Sequence, residues 1–236
     1  MLIHPSIEAI DLALFLKKEK VLVICDLHIG YEQAMKKEGI LVPRTQKQLI
    51  ISRLQQILEK FRPKTIVING DLKHEFGSIN KQEWQDTIEI LDLLNAKGEE
   101  LLIVEGNHDP LLEPIAAKRD IKLLKEHRVG KVLIVHGDTV PNKLAPIVII
   151  GHDHPAIVLQ DGAKREKFKC YLKGTFKKST LIVQPSFQPL VQGTNVLEDQ
   201  MLSPLIASTK NFEVFIVDEE TGDVLPFGKV RNFLPQ

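Results

Sequence analysis

The sequence predicts an α/β fold: a largely parallel, helix-covered sheet, then an antiparallel second sheet packed against it. Three observations carry this. Five short apolar runs, "VLVIC" (21–25), "TIVIN" (65–69), "LLIVE" (101–105), "KVLIV" (131–135) and "PIVII" (146–150), are continuous rather than alternating. Strands buried on both faces read that way. Helical spacing separates the first three runs, and strand–helix–strand alternation implies parallel neighbours. After residue 155 the pattern turns to alternation and helical spacing falls away.

Taken in order, the N-terminal twenty residues contain an apolar stretch, Leu12 to Leu16, too short for a signal segment and without a basic lead. The first helix is expected in "PRTQKQLIISRLQQILEKF", with Pro43 at its first position and Ile50, Leu54, Ile57, Leu58 and Phe61 on its inner face. The second is expected in "NKQEWQDTIEILDLLNAKG". There Asn80 caps, Glu83 completes a capping-box spacing, Trp84, Ile88, Leu91 and Leu94 form the inner stripe, and Gly98 ends the helix. Further on, "KFKCYLK" alternates, with Phe168, Cys170 and Leu172 on one side and Lys167, Lys169, Tyr171 and Lys173 on the other. "STLIVQPSF" and "NFEVFIVDEETGDVLPF" complete the second sheet, the latter as a hairpin around Glu220 to Asp223. With no repeat, low-complexity tract or Ser/Gly linker, residues 1–236 are read as one domain.

Size and composition set the bounds. A chain of 236 residues, 43% hydrophobic, can fill one large core. Cys25 and Cys170 lie far apart without C-x-x-C spacing, which argues against a disulfide scaffold or thiolate zinc site and for a reducing cytoplasm. No run reaches the roughly 18 apolar residues of a membrane span. The net charge is zero but uneven: residues 163–178 carry seven Lys or Arg against Glu166, and 195–224 carry seven acids against Lys210. That excludes indiscriminate coating of DNA and leaves room for a local anion-facing stripe.

The chemistry lies in what ends each apolar run. "VLVIC" is followed by Asp26 and His28, "TIVIN" by Gly70 and Asp71, and "LLIVE" by Gly106, Asn107, His108 and Asp109. "KVLIV" is followed by His136 and Gly137, and "PIVII" by Gly151, His152 and His154. The carboxyl ends of parallel strands share one edge, so these stops converge on one crevice. Carboxylate, amide carbonyl and imidazole together form a mixed oxygen–nitrogen shell suited to Mn2+, Fe or Zn2+ better than to Ca2+ or Mg2+ alone. There are too many ligands for one tetrahedral ion, and enough for two that share a carboxylate. Glycines beside the ligands allow close backbone approach.

The ordered set D-x-H, G-D, G-N-H-D, H-G, G-H-x-H, from Asp26 to His154, resembles the calcineurin-like metallophosphoesterases. "GDLKHEFG" and "PSF…GTNV" further resemble small prokaryotic phosphoesterases, some found beside ATP-dependent DNA ligase and helicase genes. The resemblance implies a four-layer αββα sandwich, two mixed sheets flanked by helices. It also implies two divalent ions, Mn2+ first, with Fe, Zn2+ or Ni2+ as other fits. Asp26, His28, Asp71 and His154 would hold one ion; Asp71, Asn107, His136 and His152 the other, with Asp71 shared. His108 would face the substrate, not a metal, and either protonate the leaving oxygen or stabilise the charged transition state.

One departure matters: Lys73 and His74 stand where many members continue G-D-x-x-D-R-G, so carry-over from the protein phosphatases fails. Lys73 and His74 would instead supply a cation and an imidazole for a phosphodiester or polyphosphate chain. Asp109, before Pro110, reads as a helix N-cap or as an orienter of His108. Cys25 reads as core, and His4 and His127 as surface residues. The signature H-x-H-x-D-H of metallo-β-lactamase-type hydrolases is absent, since Pro155 and Ala156 follow His154.

The function expected is therefore metal-dependent hydrolysis of phosphodiesters, with nuclease action on DNA or RNA first. A phosphatase or phosphodiesterase for small nucleotides is the alternative, and a non-catalytic metal-binding scaffold the third reading. The stripe at 164–178, with Phe168, Tyr171 and Phe176 interleaved, would favour nucleic acid. DNA-repair partners (a ligase, a helicase) follow only from the subgroup resemblance. The oligomeric state stays open.

Overall fold

Three of the five apolar runs lie side by side in one sheet, and two lie in another that faces it. A computed structural model describes residues 1–43, 45–74, 81–109, 112–198 and 200–234. The first sheet opens with a meander that no periodic pattern marks as strand: β1 (Leu2–His4), β2 (Ile7–Ile10) and β3 (Ala13–Leu16), antiparallel in turn up to β4 (Val21–Ile24). All of β3 is buried, so it shows no alternation to read. From β4 the sheet turns parallel through β5 (Thr65–Asn69), β6 (Glu100–Val104) and β7 (Lys122–Leu124).

The helices are α1 (Tyr31–Lys37), α2 (Gln46–Phe61), α3 (Lys81–Asn95) and α4 (Glu113–Ala117). Helix α2 starts at Gln46 with Thr45 at its cap, three residues beyond Pro43, and buries Ile50, Leu54, Ile57 and Leu58 as expected. The buried face of α3 is rotated from the expected stripe. Glu83, Thr87, Ile90, Leu91 and Leu94 are inside, whereas Trp84 and Ile88 are half-buried at the edge. Thr87 can sit inside because its hydroxyl donates to the Glu83 carbonyl at 2.7 Å. Asn80 lies outside the described residues. No described helix is long and apolar enough to cross a membrane.

The second sheet is built from β8 (His127–Val129), β9 (Val132–Ile134), β10 (Ile147–Ile150), β11 (Pro155–Asp161), β12 (Lys164–Phe176) and β13 (Ser179–Val183). Two-residue β14 (Thr194–Asn195) joins β11, and the predicted hairpin β15 (Glu213–Val217) and β16 (Val224–Lys229) joins β12. Strands β9, β10 and β13 run parallel, and the hairpin pairings are antiparallel, so both sheets are mixed. The period of two divides its side chains: Ile134, Ile149, Tyr171, Ile182 and Phe215 join the core shared with the first sheet. Leu133, Ile150, Cys170, Leu172 and Leu181 face outward under Met201, Leu205, Phe212 and Val230. That outer cover is irregular chain and a 3-10 turn at Val230–Phe233 among the described residues.

Polar bonds through the sandwich set the two sheets level with each other. Asn69, at the end of β5, donates to the Val135 carbonyl at 2.9 Å. Gln184, just after β13, donates to the carbonyls of Leu12 and Val23 at 3.0 Å each, and the Tyr171 hydroxyl is bonded to the carbonyls of Asp11 and Ala13. The five stops therefore meet across two sheets, not along the edge of one. The loops after β4, β5 and β6 face those after β9 and β10.

Candidate metal centre

Left-handed backbone marks the ligand loops. Asp26, His28, Asp71, His152 and His154 all have φ between 40° and 65°. They are half of the ten non-glycine residues with positive φ among those described. Each such residue costs about 1–3 kcal/mol and persists only where surroundings over-determine it, which happens at functional sites. The turns are tight because a ligand must leave a buried strand and double back into the crevice. Glycine makes room for them: a Cβ on Gly70 would stand 2.1 Å from His136 Nδ1, and one on Gly106 2.2 Å from Asp71 Oδ1.

Three sets of donor atoms converge, each within 4.8 Å of one another: Asp26, His28, Asp71 and His154, then Asp71, His136 and His152, and at the mouth His28, His74 and His108. In the first, His28 Nε2 faces His154 Nε2 at 3.2 Å, and His154 Nε2 stands 3.6 Å from Asp26 Oδ2. In the second, His136 Nε2 lies 2.9 Å from Asn107 Oδ1 and 3.1 Å from His152 Nδ1. Asp71 Oδ2 is common to both, 3.8 Å from His28 Nε2 and 3.4 Å from His136 Nε2. Every metal ligand expected from sequence is thus brought together.

The sequence between residues 19 and 201 matches the family model described as calcineurin-like phosphoesterase. The chain belongs to that family. No curated protein matches it. Among solved structures, the nuclease MPE of Pseudomonas putida is similar at 19% identity and a TM-score of 0.65, covering 92% of each chain. The phosphoesterase Yfce of E. coli is similar at 12% identity and a TM-score of 0.43, over 89% of this chain and 98% of its own. At 19% identity the likeness to the nuclease is one of fold.

The donor set of this phosphoesterase fits divalent cations. Asp26 Oδ1 is buried without a hydrogen-bond partner, and the ring nitrogens of His28 and His154, and of His136 and His152, face one another at 3.2 and 3.1 Å. Burial alone would raise the Asp26 pKa, but His154, then His136 and His28, outweigh it and hold that carboxyl well below its usual range. Burial, and then the Asp26 charge, push Asp71 the other way. Burial lowers His28 far and His136 less, which keeps both imidazoles neutral. Burial thus opposes charge on His28, His136 and Asp71 alike, and a divalent cation would favour the ionised Asp71 and the unprotonated ring nitrogens.

His108 and His74 share the mouth. His108 Nδ1 donates to the His74 carbonyl at 2.7 Å, which leaves Nε2 toward the centre, 3.9 Å from Asp71 Oδ2. The His74 ring stacks on His108 and meets Tyr31 edge-on, with centroids 4.6 Å apart. Lys73 is fully buried, which removes it from the open mouth where the sequence reading put it. Asp109 is not a helix cap; α4 starts at Glu113, with Leu112 at its cap. Its carboxylate instead accepts from the backbone N–H groups of Leu72, Lys73 and Gly106 at 3.0–3.3 Å, tying two ligand loops together, and burial pushes it up to about 6.

The middle of the basic stripe turns inward, while Lys164, Arg165, Lys167, Lys177 and Lys178 stay exposed at its two ends. Lys169 is buried, donating to the carbonyls of Ser186 and Gln188, and Lys173 pairs with Glu213 at 2.8 Å. Sequence reasoning missed Tyr31, and Asp153, whose carboxylate accepts from Leu202 and Ser203 to fix the His152–His154 turn. The spacing Gly-His-Asp-His was the available signal for Asp153.

Proposed function

We propose that this phosphoesterase hydrolyses phosphodiesters with two divalent cations, Mn2+ first, and that its substrate class is nucleic acid. The single observation that carries the bimetal reading is the position of Asp71 Oδ2, shared between one donor set at 3.8 Å and the other at 3.4 Å. Asp26, His28 and His154 would hold one cation, and Asn107, His136 and His152 the other. When bound, the cations activate a water as nucleophile and neutralise charge on the phosphate.

The chain's own groups do the rest. Asp109 and the glycines fix the ligand loops, so the site needs no rearrangement to receive substrate. His108 presents Nε2 to the leaving oxygen because Nδ1 is committed to the His74 carbonyl. Burial lowers the pKa of its ring, while that carbonyl opposes the lowering. An incoming phosphate adds negative charge that favours the protonated ring, so His108 gains its proton with substrate and delivers it to the leaving group. His74, stacked on His108 and half-buried at the mouth, is placed to touch the chain of the diester.

Nucleic acid is favoured by the subgroup motifs "GDLKHEFG" and "PSF…GTNV", and the nuclease MPE of Pseudomonas putida, by its name, acts on nucleic acid. One observation favours small nucleotides: Lys169 is buried and Lys173 is half-buried against Glu213, so the basic residues of β12 form no continuous open track. The scaffold reading requires the loss of a ligand or of His108, and all are present and convergent. In the subgroup reading the chain acts in the cytoplasm, where the free, buried Cys25 and Cys170 stay reduced.

The test is a Mn2+-supplemented screen of a chromogenic bis-ester, monoesters, nucleotides and single-stranded DNA, before and after chelation. Hydrolysis of DNA with a steep fall in rate against salt supports a nuclease. Turnover of nucleotides alone selects the second reading, and no metal-dependent turnover of any ester overturns both.

A further inference from the structure

The motifs "PSF" and "GTNV" are far from the metal ligands in sequence, yet both end up against them. Ser186, Phe187 and Gln188 satisfy four consecutive carbonyls of the first ligand loop. Phe187 N–H donates to Cys25 O at 3.0 Å, the Ser186 hydroxyl to Asp26 O at 2.7 Å, and Gln188 Nε2 to Leu27 O and His28 O at 3.0 and 3.1 Å. The N–H groups of Asp26, His28 and Ile29 are taken by the carbonyls of Gly70, Asp71 and Leu72, so most of the turn's backbone groups are satisfied within the protein. Ser186 and Gln188 are themselves buried, and Lys169 clamps their carbonyls from behind at 3.1 and 2.6 Å.

The second motif does the same for His154. Thr194 N–H donates to the His154 carbonyl at 2.8 Å as β14 pairs alongside Pro155 and Ala156. Gly193 is required there, because a Cβ would meet the same carbonyl at 2.2 Å. Both braced loops hold candidate ligands with left-handed φ: Asp26 and His28 on one, and His154 on the other, which also carries His152 of the second donor set. The other donor set is held by different struts, Asn69 on Val135 and Asp109 on Gly106.

We infer that residues 184–188 and 193–195 form a backing plate for one metal position, that of Asp26, His28 and His154, and that Ser186 and Gln188 are positioning residues selective for it. The inference rests on the bimetal reading proposed above. A strained turn keeps its ligand aimed only while its carbonyls are held; releasing Asp26 O lets the turn relax toward ordinary φ and swings the side chain out.

The experiment is titration of the metal-free chain with Mn2+ by calorimetry, and with 113Cd2+ by NMR, for wild type, Ser186→Ala, Gln188→Leu and Ser186→Thr. Wild type should take two equivalents. Ser186→Ala and Gln188→Leu should weaken one step by roughly 10–100-fold, shifting or broadening one cadmium resonance while the other holds. Ser186→Thr, which keeps the hydroxyl, should restore both. Ser186→Ala removes a single atom, so it remains informative if Gln188→Leu does not fold. Two unchanged steps in Ser186→Ala, or equal weakening of both, overturns the inference and leaves the bimetal reading intact. Fewer than two equivalents in wild type overturns the bimetal reading, and the inference with it.

Discussion

His108 and Asp71 are linked twice: the His108 N–H donates to Asp71 Oδ1 at 3.0 Å, and its ring Nε2 stands 3.9 Å from Oδ2. The backbone of His108 thus aims the carboxylate common to both donor sets, while its ring is left to act on the leaving group in the proposed reading. Replacing the ring leaves the N–H in place. His108→Ala should therefore retain both metal equivalents and lose roughly 10²–10⁴-fold in kcat on an unactivated diester. Metal content by mass spectrometry and single-turnover rates check the two halves separately, and loss of metal together with rate would reassign His108 as a ligand.

Gly70 is under a double constraint, a φ of 79° and a His136 ring against its α-carbon. Left-handed backbone costs a residue with a Cβ about 1–2 kcal/mol, and the clash at 2.1 Å demands in addition that His136 move. Gly70→Ala should lower the urea midpoint and weaken the metal position of Asn107, His136 and His152 more than the other. Gly39, with nothing near its α-carbon, is the control. Gly39→Ala should leave Mn2+ binding unchanged.

The convergence of the candidate site was legible in one dimension because each donor residue closes an apolar run, so position along the chain reports position at a strand end. The sheet assignment was not: Ile134 and Ile149 look like Ile24 and Ile68, and only the register shows that they belong to a different sheet. The face of α3 was misjudged because a polar Thr87 can be buried once Glu83 O accepts its hydroxyl. Lys169 reads as surface in any alternating strand; what buries it are carbonyls of Ser186 and Gln188, which leave no trace in residue type. The backing plate was visible only as motifs, since its work is done on backbone oxygens.

At the tip of the β11–β12 hairpin two exposed cations are matched by acids, Lys164 with Glu166 at 2.8 Å and Arg165 with Glu198 at 2.6 Å, while Lys167 donates to the Gly193 carbonyl. Exposed pairs of this kind contribute little to stability, and they also leave little net field for a phosphate backbone. Lys164→Ala combined with Arg165→Ala should leave both the affinity for single-stranded DNA and its salt slope unchanged. A lost phosphate contact would lower that slope by about 0.7. Fluorescence anisotropy at several salt concentrations distinguishes the two, and a shallower slope would put the nucleic acid on this hairpin.

Lys169 links the fold's stability to alkaline pH. Burial lowers its pKa to about 8 from 10.5, with Glu219 opposing the shift. Between those two values the unfolded chain holds a proton that the folded chain has released, so stability rises with pH across that window. Below about pH 8 the full penalty of a buried ammonium is present. Cys25 and Tyr171 act in the opposite sense: burial raises their pKa, so their unfolded forms lose protons first and favour unfolding as pH climbs. The Lys169 contribution is isolated by comparing wild type with Lys169→Met, in which the other groups are common to both. The stability of wild type relative to the variant should improve from pH 8 to pH 10, at no more than about 1.4 kcal/mol per pH unit, as read from urea unfolding at each pH. A flat difference over that range would mean that Lys169 keeps its proton inside the fold, held by Ser186, Gln188 and Glu219 more strongly than burial opposes it.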